Sequence, residues 1–183
     1  MEKNTLVITL SISIIAVIAV IFFVFYSPAL SSPIEETCEI IKADNNQDTS
    51  VNILFFSDGV EKEDLMKYVD SLYSFTPFNQ NQDKFNFYFT DYSPECELRS
   101  SAILCHSREL IKQASVCPND FIGVISNQPR NIRSSTFQNV ISINFALTPK
   151  VFVHEFGHAF SNLADEYVPA NLPRNQQNCK ATC

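Results

Sequence analysis

The stretch VFVHEFGHAFSNLADEY, residues Val151–Tyr167, places two histidines, His154 and His158, four positions apart. On an α-helix, residues with this spacing lie on the same face, so both imidazoles can reach one ion. Neutral imidazole is a common ligand of Zn²⁺. Glu155 follows the first histidine directly, where a helix can hold a carboxylate beside the metal rather than on it. The stretch therefore predicts a zinc-binding helix with Glu155 as a general base.

The alternative to a metal site is an ordinary helix with two surface histidines. The chain contains three histidines in all, and two of them have the spacing of metal ligands. Most of their neighbours are apolar, so we expect the helix to be buried. Because a buried polar side chain without a partner is costly, the metal interpretation is favoured.

A catalytic zinc ion usually takes three protein ligands and leaves a fourth position open. After His158 the only carboxylates are Asp165 and Glu166. In a continuous helix Asp165 would lie about 10 Å beyond His158 along the axis, too far to share its ion. We therefore expect the helix to turn at Ser161–Asn162, because Asn tolerates the left-handed conformation. Asp165 is favoured over Glu166 as the third ligand. The other carboxylate would hydrogen-bond to a metal ligand or cap the helix. Tyr167 would either assist a developing oxyanion or serve packing.

This segment resembles the active-site segment of the IgA-peptidase (igalysin-type) zinc metallopeptidases, a metzincin-like group, which reads much like HEFGHAFSNLADEY. Looser similarity extends upstream, so that the resemblance covers Val51–Tyr167; the stretches are ILFFSDGVEKEDL, PFNQNQDKFNFYFTDY, ILC and DFIGVISN. The resemblance implies that His154, His158 and Asp165 bind zinc. It also implies a protein or peptide substrate, hydrolysed by a zinc-bound water with Glu155 as base.

Two features differ from the metzincin pattern. Metzincins have a methionine-containing turn beneath the zinc, downstream of the helix, whereas the methionines here are Met1 and Met66. The chain also ends at Cys183, soon after Tyr167. We therefore expect a fragment, or a reduced form, that lacks the lower part of such a domain.

The composition fits one globular domain and excludes some partners. The chain has 183 residues, is 45% hydrophobic and carries a net charge of −7. Nucleic-acid binding needs basic patches that displace counterions, so we expect no nucleic-acid partner.

An uncharged apolar run, Leu6–Tyr26, precedes this domain. At about 1.5 Å per residue it would span about 31 Å, the thickness of a hydrocarbon core. We expect residues 1–26 to be a single-pass membrane anchor, residues 27–50 a stalk and residues 51–183 the zinc domain. Lys3 precedes the run and acids follow it, which favours an extracytoplasmic domain. The alternative is a signal peptide whose cleavage releases a secreted protein.

Strand and helix patterns alternate from Val51 onwards. Strands are predicted at Val51–Phe56, Lys84–Tyr92, Phe121–Ile125 and Val140–Phe145, and helices at Glu61–Phe75, at His106–Val116 and from Thr148-Pro149. This order predicts an α/β fold with a mixed, mostly parallel sheet flanked by helices, as in metzincin-like enzymes. We expect the Gln138–Phe145 strand to lie antiparallel at the sheet edge. The resemblance implies that an edge strand pairs with an extended substrate, a role expected here for Val140–Phe145; the alternative is a purely structural strand.

The remaining polar and sulfur-containing residues give weaker signals. Six cysteines, at positions 38, 96, 105, 117, 179 and 183, predict disulfides rather than a cysteine zinc site. A nucleophilic pair of Cys105 and His106 is disfavoured, because adjacent helical residues point about 100° apart. The resemblance places Asp58 and Arg99 near the cleft, but a turn residue and a surface charge are the favoured interpretations.

The sequence thus predicts a membrane-anchored zinc metalloendopeptidase. One alternative is a catalytically inactive, zinc-containing surface-binding module. Another is a metal-free adhesion domain held together by disulfides, which the presence of Glu155 disfavours, because structure alone does not require an acid there.

Overall fold

A computed structural model of the chain describes residues 38–43, 46 and 48–165. Its strands are β1 (Glu39–Lys42), β2 (Val51–Asp58), β3 (Phe85–Thr90), β4 (Glu97–Arg99), β5 (Ala102–Leu104), β6 (Phe121–Ser126), β7 (Ser135–Phe137) and β8 (Val140–Asn144). Its helices are α1 (Met66–Tyr73), α2 (Arg108–Ala114) and α3 (Lys150–Ser161), with short 3₁₀ turns at Lys62–Leu65, Phe78–Gln80 and Gln82–Lys84.

The main sheet has six strands in the order β1-β3-β2-β6-β8-β7. The four central strands run parallel, while β1 and β7 lie antiparallel at the two edges. Strands β4 and β5 form a separate antiparallel hairpin. The expected α/β fold, with a mostly parallel sheet flanked by helices, is confirmed.

Both faces of the sheet are packed, so strand β2 is apolar almost without interruption. Ile53 and Phe55 face the helices α1 and α3, and Leu54 and Phe56 face the side of α2. Gly123 of β6 is needed for this packing, because a Cβ there would lie 2.7 Å from the Phe55 ring. The strand β2 ends where Gly59 takes a positive φ of 68°.

The prediction of an edge strand at Gln138–Phe145 is wrong. Strand β8 pairs in parallel with β6 on one side and antiparallel with β7 on the other, so it lies inside the sheet. The edge belongs to β7, which lies in a stretch where no strand was predicted. Gln138, with a φ of 56°, lies in the tight connection from β7 to β8.

The described end of the predicted stalk belongs to the domain. Residues Glu39–Lys42 form β1, and Cys38 is bonded to Cys117 at the carboxyl side of α2. Residues 38–42 are thus tied to the domain by strand pairing and by a disulfide. The predicted membrane anchor, residues 1–26, lies outside the described residues, and within residues 38–43, 46 and 48–165 no helix is long and apolar enough to cross a membrane.

A second disulfide joins Cys96 to Cys105 and closes the β4–β5 hairpin. The expectation of disulfides is therefore confirmed for four of the six cysteines, and Cys179 and Cys183 lie outside the described residues. Because Cys105 is disulfide-bonded, its disfavoured role as a nucleophile beside His106 is excluded in this structure. The His106 ring instead packs edge-on against Phe137, with ring centroids 5.0 Å apart.

Candidate metal centre

Helix α3 begins as its sequence predicts. The Thr148 hydroxyl accepts a hydrogen bond from the Lys150 backbone N–H at 3.2 Å, and Pro149 already has helical backbone angles. Proline suits this position because its missing N–H would have no helical partner. Two fully buried aromatic rings on one face, Phe152 and Phe156, then anchor the helix against the sheet.

These two rings determine which way the histidines point. The Phe152 ring lies 5.5 Å from that of Phe55, and the Phe156 ring lies 5.2 Å from that of Phe121. His154 and His158 lie one turn apart on another face of the helix. Their side chains expose 41% and 19% of their surface, respectively, to solvent. Their imidazole rings therefore meet at the border between the core and solvent, where a ligand can enter.

The chain turns back directly after α3. The helix ends at Ser161, and Asn162 adopts the left-handed conformation with φ 51° and ψ 41°. The turn predicted at Ser161–Asn162 is confirmed. It brings Asp165 Oδ1 to 3.1 Å from His154 Nε2 and 3.2 Å from His158 Nε2.

The three atoms form a nearly equilateral triangle, since the two Nε2 atoms are also 3.1 Å apart. Ligand atoms at about 2.0–2.1 Å from a tetrahedral zinc ion lie about 3.3–3.4 Å from one another. Two imidazole nitrogens and one carboxylate oxygen are also a donor set that zinc accepts. The residues present therefore fit a zinc ion in both spacing and chemistry.

A backbone contact fixes the tautomer of His158. Its Nδ1 lies 2.6 Å from the Leu163 carbonyl oxygen, which can only accept, so Nδ1 carries the proton. In the neutral ring this leaves a lone pair on Nε2, the atom that faces His154 and Asp165. Ligating histidines in zinc sites commonly donate their other N–H in this way.

Glu155 is the buried acid of the site, with 8% of its surface exposed. Burial raises the pKa of its carboxyl group, while a hydrogen bond from Thr136 and the nearby His158 and His154 oppose that rise. The Thr136 hydroxyl lies 2.8 Å from Glu155 Oε2 and 2.9 Å from its backbone oxygen. The shift makes the protonated form of this carboxyl group easier to reach than in an exposed glutamate.

The other predicted site residues lie elsewhere or outside the described part. Glu166 and Tyr167 fall outside the described residues. Asp58 ends β2 as a turn residue, with its carboxylate accepting hydrogen bonds from Ser93 and Ser126, both at 2.9 Å. Arg99 is exposed on β4 and pairs with its near neighbour Glu97 at 2.9 Å.

Sequence reasoning missed two contributors to the site, the Thr136 hydroxyl and the Leu163 carbonyl. Thr136 belongs to a strand of three residues, too short for a periodic pattern to indicate. The Leu163 carbonyl reaches His158 because the chain turns at Asn162. The predicted turn was therefore the one sequence feature that could have indicated this contact. No protein-family model and no curated protein sequence matches this chain.

Proposed function

We propose that this protein is a zinc metalloendopeptidase, in which His154, His158 and Asp165 hold the ion and Glu155 moves the proton. The observation that carries the proposal is the triangle of three ligand atoms, 3.1–3.2 Å apart, next to a buried glutamate on the same helix. Two histidines that only stabilised the fold would need neither a converging aspartate nor a buried acid between them.

The chemistry follows from these residues. When bound, zinc supplies Lewis acidity that polarises a water molecule and the peptide carbonyl. Glu155 accepts the proton of the attacking water and then donates it to the amine that leaves. The Leu163 carbonyl keeps the proton of His158 on Nδ1, so Nε2 remains available to the metal.

The position of β7 supports a peptide substrate. Extended peptides are commonly bound as an added strand at the free edge of a sheet. Strand β7 is the edge strand nearest to the site, since Thr136 on it contacts Glu155. We therefore propose that the substrate pairs with β7, rather than with the strand at Val140–Phe145 for which the resemblance implied this role.

We also propose that the domain lies outside the cytoplasm, anchored through Leu6–Tyr26. The two disulfides support this location, because disulfides persist in oxidising compartments. The apolar N-terminal run supplies the anchor in this proposal, and a secreted form after signal cleavage is its alternative.

The test compares wild-type protein with Glu155→Gln, measuring zinc by mass spectrometry and hydrolysis of a quenched-fluorescent peptide library. We expect one zinc per chain in both proteins and loss of hydrolysis in the variant, because glutamine keeps the shape but cannot take a proton. The matched control is Glu109→Gln, which changes an exposed glutamate on α2 that pairs with Lys112 and Gln113. It should hydrolyse as the wild type does.

Two results would contradict the proposal. Equal hydrolysis by Glu155→Gln and wild type would remove Glu155 from the reaction. Stoichiometric zinc without hydrolysis of any library peptide would favour the inactive surface-binding module instead.

A further inference from the structure

We infer that Thr136 is a positioning residue for Glu155: its hydroxyl holds one carboxylate oxygen, Oε2, and so directs the other towards the reaction. This inference rests on the proposed function, because it concerns the same glutamate. It adds a residue on a different element, the edge strand β7, to the residues of helix α3.

The alternation of β7 explains why this residue can do so. Successive side chains of a strand point to opposite faces. Ser135 donates to the Ile103 carbonyl, and Phe137 packs on His106, so both point towards the β4–β5 hairpin and α2. Thr136 points the other way, towards α3, and is therefore the one β7 side chain that can reach Glu155.

The hydroxyl has one hydrogen and two acceptors within reach, Glu155 Oε2 at 2.8 Å and the Glu155 backbone oxygen at 2.9 Å. An ionised carboxylate is the stronger acceptor of the two, so the hydrogen points to Oε2 when Glu155 is ionised. Among the described residues, Glu155 Oε1 has no hydrogen-bond partner. Because the hydroxyl holds Oε2, the inference assigns to Oε1 the proton of the attacking water.

Holding the carboxylate matters because Glu155 could otherwise rotate among several side-chain conformers. A catalytic group that leaves its productive position by about 1 Å can lose about 100-fold in rate. Thr136 does not touch the reacting atoms in this scheme; it acts through Glu155. Its loss should therefore lower kcat more than it raises KM.

The competing explanation is a purely structural tie between β7 and α3. Breaking a purely structural hydrogen bond would lower the melting temperature but leave kcat of the folded enzyme unchanged. A control for removal of a threonine hydroxyl exists in β3, where Thr90 is fully buried and its hydroxyl has no hydrogen-bond partner among the described residues.

The experiment compares wild type, Thr136→Val, Thr136→Ser and Thr90→Val, each loaded with zinc. Valine keeps the β-branched shape of threonine but has a methyl group in place of the hydroxyl, whereas serine retains the hydroxyl. With a library peptide that the wild type cleaves, we expect Thr136→Val to lose about 10- to 100-fold in kcat with little change in KM. Thr136→Ser should recover most of that loss, and Thr90→Val should match wild type.

A second readout needs neither metal nor substrate. The ¹³C chemical shift of the Glu155 carboxyl carbon, measured in metal-free protein at a pH that keeps Glu155 ionised in every variant, reports the hydrogen bond to the carboxylate. We expect this shift to move in Thr136→Val, to return in Thr136→Ser and to stay unchanged in Thr90→Val.

The outcomes separate the two proposals. If wild type hydrolyses peptide and Thr136→Val keeps its kcat, the positioning role is overturned while the proposed function stands. If wild type holds zinc but cleaves nothing, the proposed function fails, and the carboxyl shift alone decides whether Thr136 holds Glu155. An unchanged carboxyl shift in Thr136→Val overturns the inference in either case.

Discussion

The turn at Asn162 should control how tightly the protein binds zinc. Asn162 takes the left-handed conformation, with φ 51° and ψ 41°, and this turn brings Asp165 back to the two histidines. Its side chain is exposed, so a substitution there acts mainly through the backbone. Replacing it by valine should weaken zinc binding, whereas glycine should preserve it.

The expected size follows from the conformational cost. The left-handed conformation costs an L-residue with a Cβ about 1–2 kcal/mol, and asparagine and glycine tolerate it best. A protein whose binding-competent conformer is less populated has a correspondingly weaker apparent affinity. At about 1.4 kcal/mol per factor of ten, Asn162→Val should raise the Kd for zinc by about 5- to 30-fold.

The assay is a competition titration of zinc against a chromophoric chelator, with wild type, Asn162→Val and Asn162→Gly measured side by side. Circular dichroism of each metal-free protein checks that the fold is retained. Asn162→Gly is the matched control, because it also removes the asparagine side chain but permits a positive φ. If Asn162→Val binds zinc as tightly as wild type, or if Asn162→Gly binds it as weakly as Asn162→Val, the turn does not control zinc affinity.

Two further predictions concern stability. Gly123→Ala should lower the free energy of unfolding by about 1–3 kcal/mol, because the new Cβ would lie 2.7 Å from the packed Phe55 ring. Gly157→Ala should instead raise the free energy of unfolding by about 0.5–1 kcal/mol, because alanine favours a helix and its Cβ would make an ordinary 3.5 Å contact with the Leu163 side chain. Urea unfolding measures both changes, and changes of the same sign in the two variants would contradict these predictions. Burial raises the pKa of Tyr68, so above about pH 10 the unfolded chain loses the phenol proton while the folded chain keeps it, and the free energy of unfolding falls as the pH rises further. Tyr68→Phe should abolish that part of the alkaline loss without lowering stability at pH 7, because the hydroxyl has no hydrogen-bond partner within the described part of the chain; an unchanged alkaline profile would refute this.

The helix that carries the site could be predicted well from sequence because its signals are local. A threonine followed by proline at 148–149 starts α3, apolar residues at helical spacing bury one face, and Asn162 ends it. The four parallel strands were also predictable, since each is an apolar or aromatic run long enough to show a pattern.

The short strands could not be predicted because they depend on their pairing partners rather than on a sequence pattern. Strands β4, β5 and β7 have three residues each and β1 has four, which is shorter than a reliable alternation. Strand β7 forms by pairing Ser135–Phe137 with β8, and that pairing exists only in the folded sheet.

Strand β8 has polar residues on one face although it lies inside the sheet. These residues, Ser142 and Asn144, are both fully buried. Ser142 Oγ accepts a hydrogen bond from the Cys105 N–H at 3.0 Å, and the Asn144 amide donates to the Pro129 and Ile132 carbonyls. Buried polar groups are tolerated when they are hydrogen-bonded, so polarity alone did not reveal which strand lay at the edge.

X-ray absorption at the zinc edge identifies the atoms that surround the metal, and so reports whether His154, His158 and Asp165 hold it. For protein purified without added zinc, we predict one zinc ion per chain with only nitrogen and oxygen neighbours, at about 2.0–2.1 Å. Purified protein that retains no zinc would rule out the proposed site, and so would a sulfur neighbour at about 2.3 Å, which would place the metal on cysteine.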